Sequence, residues 1–389
     1  MSRVKSYQEI NQRIKKGKAV VLTAEEMIDF VAENGVSIAS EEVDVVTTAT
    51  FGAMCSSGAF FNFGHADPPI RMEKVWLNDV PAYAGMAAVD AYLGATEESV
   101  DRGEEYGGAH VIEDLLQGKT VHLRAIAKGT DCYPRQEVET DLTLADLNQA
   151  YLFNPRNCYQ NYSVAVNSSE QTIYTYMGPL AANFGNASYS SAGQLSPLLN
   201  DPYYRTIGIG TRVFLGGANG YIAWEGTQHN PLVERNEAGI PLGGAGTLAV
   251  IGDLKEMDPE YISAASIKNY GVTIYIGIGI PIPILDQEMA RYTAVSDRDI
   301  YTDVVDYSVA ALKKPTYGRV NYQQLRSGKI VLTGGREVTT APLSSYKRAR
   351  QIAAELKERI SQGHFLLEKP VQGISNSRTF RPLKKRKED

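Results

Sequence analysis

Residues 151–285 constrain the fold of this chain more than any other stretch. Six runs, YSVAVN, TIYTYM, RTIGIGTRVFLGG, GYIAWEG, GTLAVIG and GVTIYIGIGIPIPIL, alternate large apolar or β-branched residues with smaller ones. Glycine, tyrosine, asparagine and serine crowd the spaces between them. Alternation with period two, broken repeatedly by turn formers, is the pattern of short strands joined by tight turns. The flanks read differently. A helix near residues 5–16 runs through Gly17-Lys18 into AVVL, a helix near 108–117 runs through Gly118-Lys119 into TVHLRAIA, and YQQLRSGKIVLT repeats the junction. Thr23 and Glu26 form a capping box for AEEMIDFVAENG, which closes at Asn34-Gly35. Ser344 or Ser345 caps a last helix that stops at Gly363. The expected fold is therefore α/β: mixed sheets with flanking helices and a β-rich, glycine-rich central section. Its parts are 1–150 (α/β), 151–285 (β-rich), 286–370 (α/β) and a basic tail, 371–389.

Charge and length narrow the function. The 389 residues bury a large core, and the net charge of -6 gives no general affinity for nucleic acid. Residues 340–389 are the exception, with 12 Lys and Arg against 5 Asp and Glu, and RPLKKRKED reads as a solvated end. No signal peptide and no apolar run of membrane-spanning length is seen, so the expectation is a cytoplasmic protein with no membrane contact. Cys55, Cys132 and Cys158 are odd in number and far apart, with no CxxC pair. That is neither a disulfide framework nor a zinc motif.

Several glycine motifs lead nowhere. GIGTRVFLGG contains GxG, but β-branched residues follow it and no helix is present to seat a pyrophosphate. IGIGIPIP lacks the phosphate lysine, and neither GxSxG nor HExxH occurs. These glycines suit turns and close backbone approach.

The cysteines carry the chemistry. Cys55, in VTTATFGAMCSSGAFFNFGH, stands where a β-branched strand ends, and strand ends are where α/β sheets bind ligands. Ser56, Ser57 and Gly58 can offer donors to a thiolate. Cys132, in KGTDCYPR, repeats the arrangement in a turn after VHLRAIA. Arg135 beside it can lower a thiol pKa or hold a carboxylate. Cys158, in NPRNCYQNY, reads as a packing cysteine. Two strand-end cysteines in glycine-rich turns point to a redox or sulfur-carrying pair.

Together, VTTATFGAMCSSGAFFNFGH, GGAHVIEDLLQGKTVHLRAIAKGTDCYPR, GTQHNP and RTFRPLKK resemble the homocysteine biosynthesis family, the L-aspartate-semialdehyde sulfurtransferases of anaerobic archaea and bacteria. Some members carry paired CBS repeats after this region; the expectation here is a member without them. The resemblance implies conversion of L-aspartate semialdehyde to homocysteine with sulfur from sulfide or a sulfur carrier. It puts the two characteristic cysteines on Cys55 and Cys132, and it implies a small ferredoxin-like iron–sulfur protein as electron donor. Turning an aldehyde into a thiol needs one sulfur and two electrons. A cysteine persulfide can attack the aldehyde carbon, and a second thiol can close a disulfide that a partner reopens. His229 in GTQHNP and His65 in NFGHADPP are the acid–base candidates. Gly216-Gly217 and Gly243-Gly244 are expected to border the pocket, and Gly216 and Gly217, with Ser56, Ser57 and Arg135, to bind substrate. No tightly bound cofactor or metal is expected. An iron–sulfur cluster on the three cysteines, and a non-catalytic docking protein, are the alternatives; a homo-oligomer is a possible assembly.

Overall fold

The computed structural model describes residues 4–378 together with Arg381 and Leu383; the rest of the basic tail, with most of RTFRPLKK, lies outside the described residues. The mixed sheets and flanking helices expected from the sequence are present. The main sheet runs, in spatial order, through Val21–Thr23, Val45–Ala53, Gly271–Pro283, Arg212–Leu215, Ala218–Glu225, Leu248–Asp253, Gln149–Asn157, Gly58–Asn62 and Ala91–Gly94, and Ile262–Ile267 also pairs with the long strand Gly271–Pro283. Only the first pair is parallel. Strands from 1–150 and 151–285 thus interleave in one sheet. A four-stranded antiparallel sheet is built from Lys74–Leu77, Val80–Ala82, Val121–Ile126 and Glu137–Leu142. A six-stranded mixed sheet combines Val164–Val166 and Ala187–Tyr189 with four strands between 301 and 342.

The long strand shows why IYIGIGIPIP alternates. Ile274, Ile276, Ile278, Ile280 and Ile282 are all fully buried on one side. On the other, a Cβ at Gly277 would stand 2.7 Å from Ile352 Cδ1, because helix Tyr346–Ser361 lies directly over the backbone there. That helix buries Ala349, Ile352, Ala353, Leu356 and Ile360, the spacing of one apolar stripe. Each buried Ile or Leu contributes roughly 1.5–3 kcal/mol. Ser345 is its cap, accepting from the Arg348 N–H at 3.3 Å.

The three helix–Gly–Lys–strand junctions all form, with Gly17, Gly118 and Gly328 left-handed at φ 62°, 71° and 89°. One boundary differs. The helix that starts at the Thr23–Glu26 capping box turns at Gly35 (φ 81°) and resumes to Glu42, because Ala39 and Ser40 bury a second turn's worth of contacts beyond the break. Among the described residues no helix is long and apolar enough to cross a membrane.

Candidate active site

The strand Val45–Ala53 is paired to Gly271–Pro283 along its whole length, from Val45 opposite Pro283 to Ala53 opposite Tyr275. One more bond, Met54 N–H to Ile274 O at 2.7 Å, carries the ladder past the strand end. This register brings Cys55 level with Thr273. The Ser57 N–H then bonds Met54 O at 2.9 Å and closes a tight turn with Cys55 and Ser56 at its two central positions. Cys55 is half-buried and unbridged. Ser57 turns the other way, is buried, and accepts from Asn154 Nδ2 at 2.7 Å.

Asn154 belongs to a bulged strand. Along Gln149–Asn157, Asn154 faces Val250 but Asn157 faces Leu248, so Pro155 and Arg156 stand against a single residue. A bulge bends the strand and re-aims its side chains. Immediately beyond it Cys158 takes a left-handed backbone (φ 50°), with its N–H donating to Asn157 Oδ1 at 2.6 Å.

The turn and the bulge share a cavity of about 310 Å³. Cys55, Ser56, Arg156, Asn157 and Cys158 line it, and Tyr159, Tyr162, Tyr176 and Tyr270 give it an aromatic wall. Arg156 is the one charged side chain among the described lining residues, and its Nη1 donates to Gln228 Oε1 at 2.5 Å. The Tyr162 and Tyr176 hydroxyls are 2.5 Å apart, and those of Tyr176 and Tyr307 2.9 Å. Burial, then neighbouring tyrosines, pushes the Tyr162 and Tyr307 hydroxyls far above the usual phenol range. Burial also raises Tyr270, and charge on Cys55 raises it further. These phenols therefore stay protonated. Burial pushes the Cys158 thiol up to about 12. Two buried polar atoms in the wall, Asn157 Nδ2 and Thr273 Oγ1, have no hydrogen-bond partner among the described residues.

The other sequence candidates lie elsewhere. Cys132 is exposed in the turn between Val121–Ile126 and Glu137–Leu142 and does not line the Cys55 cavity. Arg135 is held by two carbonyls, donating from Nε to Pro68 O at 2.9 Å and from Nη2 to Asp67 O at 2.5 Å. His65 is exposed, with its ring 6.4 Å from that of Tyr133, so His65, Cys132 and Arg135 share a second surface. His229 is buried beside Tyr204; its Nδ1 accepts from Thr247 N–H at 3.1 Å and its Nε2 donates to Ser375 O at 2.7 Å. Gly216 and Gly217 form the turn between Arg212–Leu215 and Ala218–Glu225, packed on Met257 and Asp258, with Gly217 O accepting from Arg359 at 2.6 Å. Neither they nor Gly243 and Gly244 line the cavity. No three of His, Cys, Asp and Glu come together as metal ligands among the described residues.

Sequence reasoning passed over Arg156, Asn157, Thr273 and the tyrosines. The one available signal was Pro155, separated from the apolar run AYLF by Asn154 alone; a regular inner strand does not tolerate a proline there and a bulge does.

Comparison with known proteins gives the chain its relatives. A family model described as "Homocysteine biosynthesis enzyme, sulfur-incorporation" matches residues 19–367. A protein of Methanosarcina acetivorans named "L-aspartate semialdehyde sulfurtransferase" is 54% identical over 380 residues, 98% of this chain and 74% of its own length. A protein of Methanocaldococcus jannaschii with the same name is 52% identical over 395 residues, 98% of this chain and 75% of its own. An uncharacterized protein of Methanothermobacter thermautotrophicus is 32% identical over 332 residues, 83% of this chain and 72% of its own. No solved structure matches. With the family model spanning most of its length and two relatives above 50% identity, the chain belongs to the sulfur-incorporating homocysteine biosynthesis enzymes.

Proposed function

We propose that this enzyme is an L-aspartate semialdehyde sulfurtransferase that builds L-homocysteine through a persulfide on Cys55. The observation that carries this reading is the cavity itself: a thiol at the tip of a strand opens into an aromatic chamber whose one charged lining group among the described residues is Arg156. The substrate's chemistry matches it. Arg156, steadied by Gln228, is placed to take the α-carboxylate, and the tyrosine faces suit an ammonium group. The volume holds a four-carbon amino acid and one added sulfur.

The overall reaction consumes the aldehyde, one hydrogen sulfide, two electrons and two protons, and yields the thiol and one water. The terminal sulfur of the Cys55 persulfide bonds to the aldehyde carbon. A second thiolate attacks Cys55 Sγ; the S–S bond breaks, the sulfur stays on the substrate as a thiolate, and a protein disulfide closes. Loss of water leaves a thioaldehyde, which two electrons and two protons reduce to the thiol. Hydrosulfide reopens the disulfide and restores the persulfide. A small ferredoxin-like iron–sulfur protein is the proposed electron donor, and a reducing cytoplasm the proposed setting, since free thiols persist there. Cys132 is the second thiol in this reading. Cys158 shares the cavity, but burial keeps it protonated, whereas Cys132 is open to solvent. The reading requires the Cys132 turn to move towards the cavity.

An anaerobic assay tests the function: protein first treated with sulfide and an oxidant to set the Cys55 persulfide is given sulfide, L-aspartate semialdehyde and a low-potential one-electron donor. Wild type should form homocysteine, while Cys55→Ala and Cys132→Ala should form none with unchanged Tm. Wild-type turnover in Cys55→Ala would refute the assignment.

A further inference from the structure

Asn157 Nδ2 and Thr273 Oγ1 are the two buried lining atoms that the described protein leaves unpaired. Their residues are 1% exposed each. Such groups are costly to bury without a partner, and where they line a cavity a ligand can complete them. Both flank Cys55. The sheet register sets Thr273 level with it, and the Asn154–Ser57 bond ties the bulge that carries Asn157 to the Cys55 turn. The orientation of Asn157 is fixed by the next residue's backbone, because its Oδ1 is occupied by the Cys158 N–H. Its amide therefore offers donors only.

We propose that Asn157 Nδ2 and Thr273 Oγ1 together bind the aldehyde oxygen of the substrate and stabilise the alkoxide formed when sulfur on Cys55 attacks. This assignment rests on the Cys55 persulfide reading. In the step, the terminal sulfur's lone pair forms the new C–S bond, the C=O π pair moves onto oxygen, and the alkoxide then takes a proton from solvent. Nothing is oxidised or reduced. Two neutral donors aimed at that oxygen strengthen as charge develops on it, so they act on the rate of attack rather than on sulfur loading. Half-buried Tyr159 and Tyr162 stand on the same wall and limit the water that reaches them.

The test is a single turnover. Protein is loaded anaerobically with sulfide and an oxidant until Cys55 carries a persulfide. L-aspartate semialdehyde is added, and loss of the persulfide is followed by quench and mass spectrometry. Thr273→Val keeps the side chain's shape and removes the hydroxyl; Asn157→Asp keeps the bond to Cys158 and removes the amide donors. Each should load normally and discharge about 10²-fold more slowly, the usual effect of losing one such donor. Thr273→Val should melt no lower than wild type, since it deletes an unpaired buried hydroxyl. A merely structural threonine would give the opposite pair of results. Should Asn157→Asp not fold, Thr273→Val decides. Persulfide on Cys55 with wild-type discharge in Thr273→Val overturns this assignment alone; no persulfide on wild-type Cys55 overturns it together with the reading it rests on.

Discussion

Arg156 owes its position to one extra residue. Because Pro155 and Arg156 together oppose a single partner, the guanidinium leaves the plane of regular pairing and enters the cavity beside Gln228. A charge-assisted pair with a carboxylate contributes about 1.5–3 kcal/mol, which is roughly 10- to 100-fold in affinity. Arg156→Gln should raise the KM for L-aspartate semialdehyde by that factor, leave the KM for sulfide alone, and change kcat much less. 3-Aminopropanal, which lacks the carboxylate, should be used equally by both proteins. An unchanged KM for the semialdehyde would separate Arg156 from substrate binding. Arg135, the arginine that the sequence suggests for this task, lies outside this cavity and gives two of its donors, Nε and Nη2, to the carbonyls of Pro68 and Asp67.

At the scale of elements, His229 shows how a histidine in an inviting loop is used. Its ring links Thr247, at the foot of strand Leu248–Asp253, to Ser375 near the end of the described chain. His229→Ala strands a buried N–H and opens a small void, and should cost about 2–4 kcal/mol and several degrees of Tm. Persulfide discharge should stay near the wild-type rate once the variant is assayed below its Tm. An unmoved Tm with a lost kcat would put the imidazole in the chemistry. Capping signals, Gly–Lys junctions and the end of the cysteine strand were legible in the sequence, because each is set by residues within four or five positions. The bulge was not. It exists only through pairing of Asn154 and Asn157 with Val250 and Leu248, nearly a hundred residues on, and the same non-local pairing brings Asn157 and Thr273 to Cys55.

Across the whole molecule, the cavity lies where the cysteine end of the main sheet meets residues next to the six-stranded sheet. Tyr162 and Met177 line it and also pack in a small apolar cluster with Tyr307 and Leu343. Its walls come from positions between 50 and 343, so composition could announce many tyrosines but not their convergence. The two motif cysteines stand on different sheets: Cys55 follows a main-sheet strand, and Cys132 lies in a hairpin turn of the four-stranded sheet. Their similar local sequences concealed different neighbourhoods. The chemistry depends on which thiol holds the transferable sulfur, and one measurement reads it directly. Protein is loaded anaerobically with heavy-isotope sulfide and an oxidant, divided, and alkylated before or after addition of L-aspartate semialdehyde and reductant, then mapped by mass spectrometry. The label should sit on Cys55 before addition and in homocysteine after it, with a Cys55–Cys132 disulfide trapped when reductant and free sulfide are withheld. Label on Cys158 or Cys132 with Cys55 bare, followed by the same yield of labelled homocysteine, would contradict it.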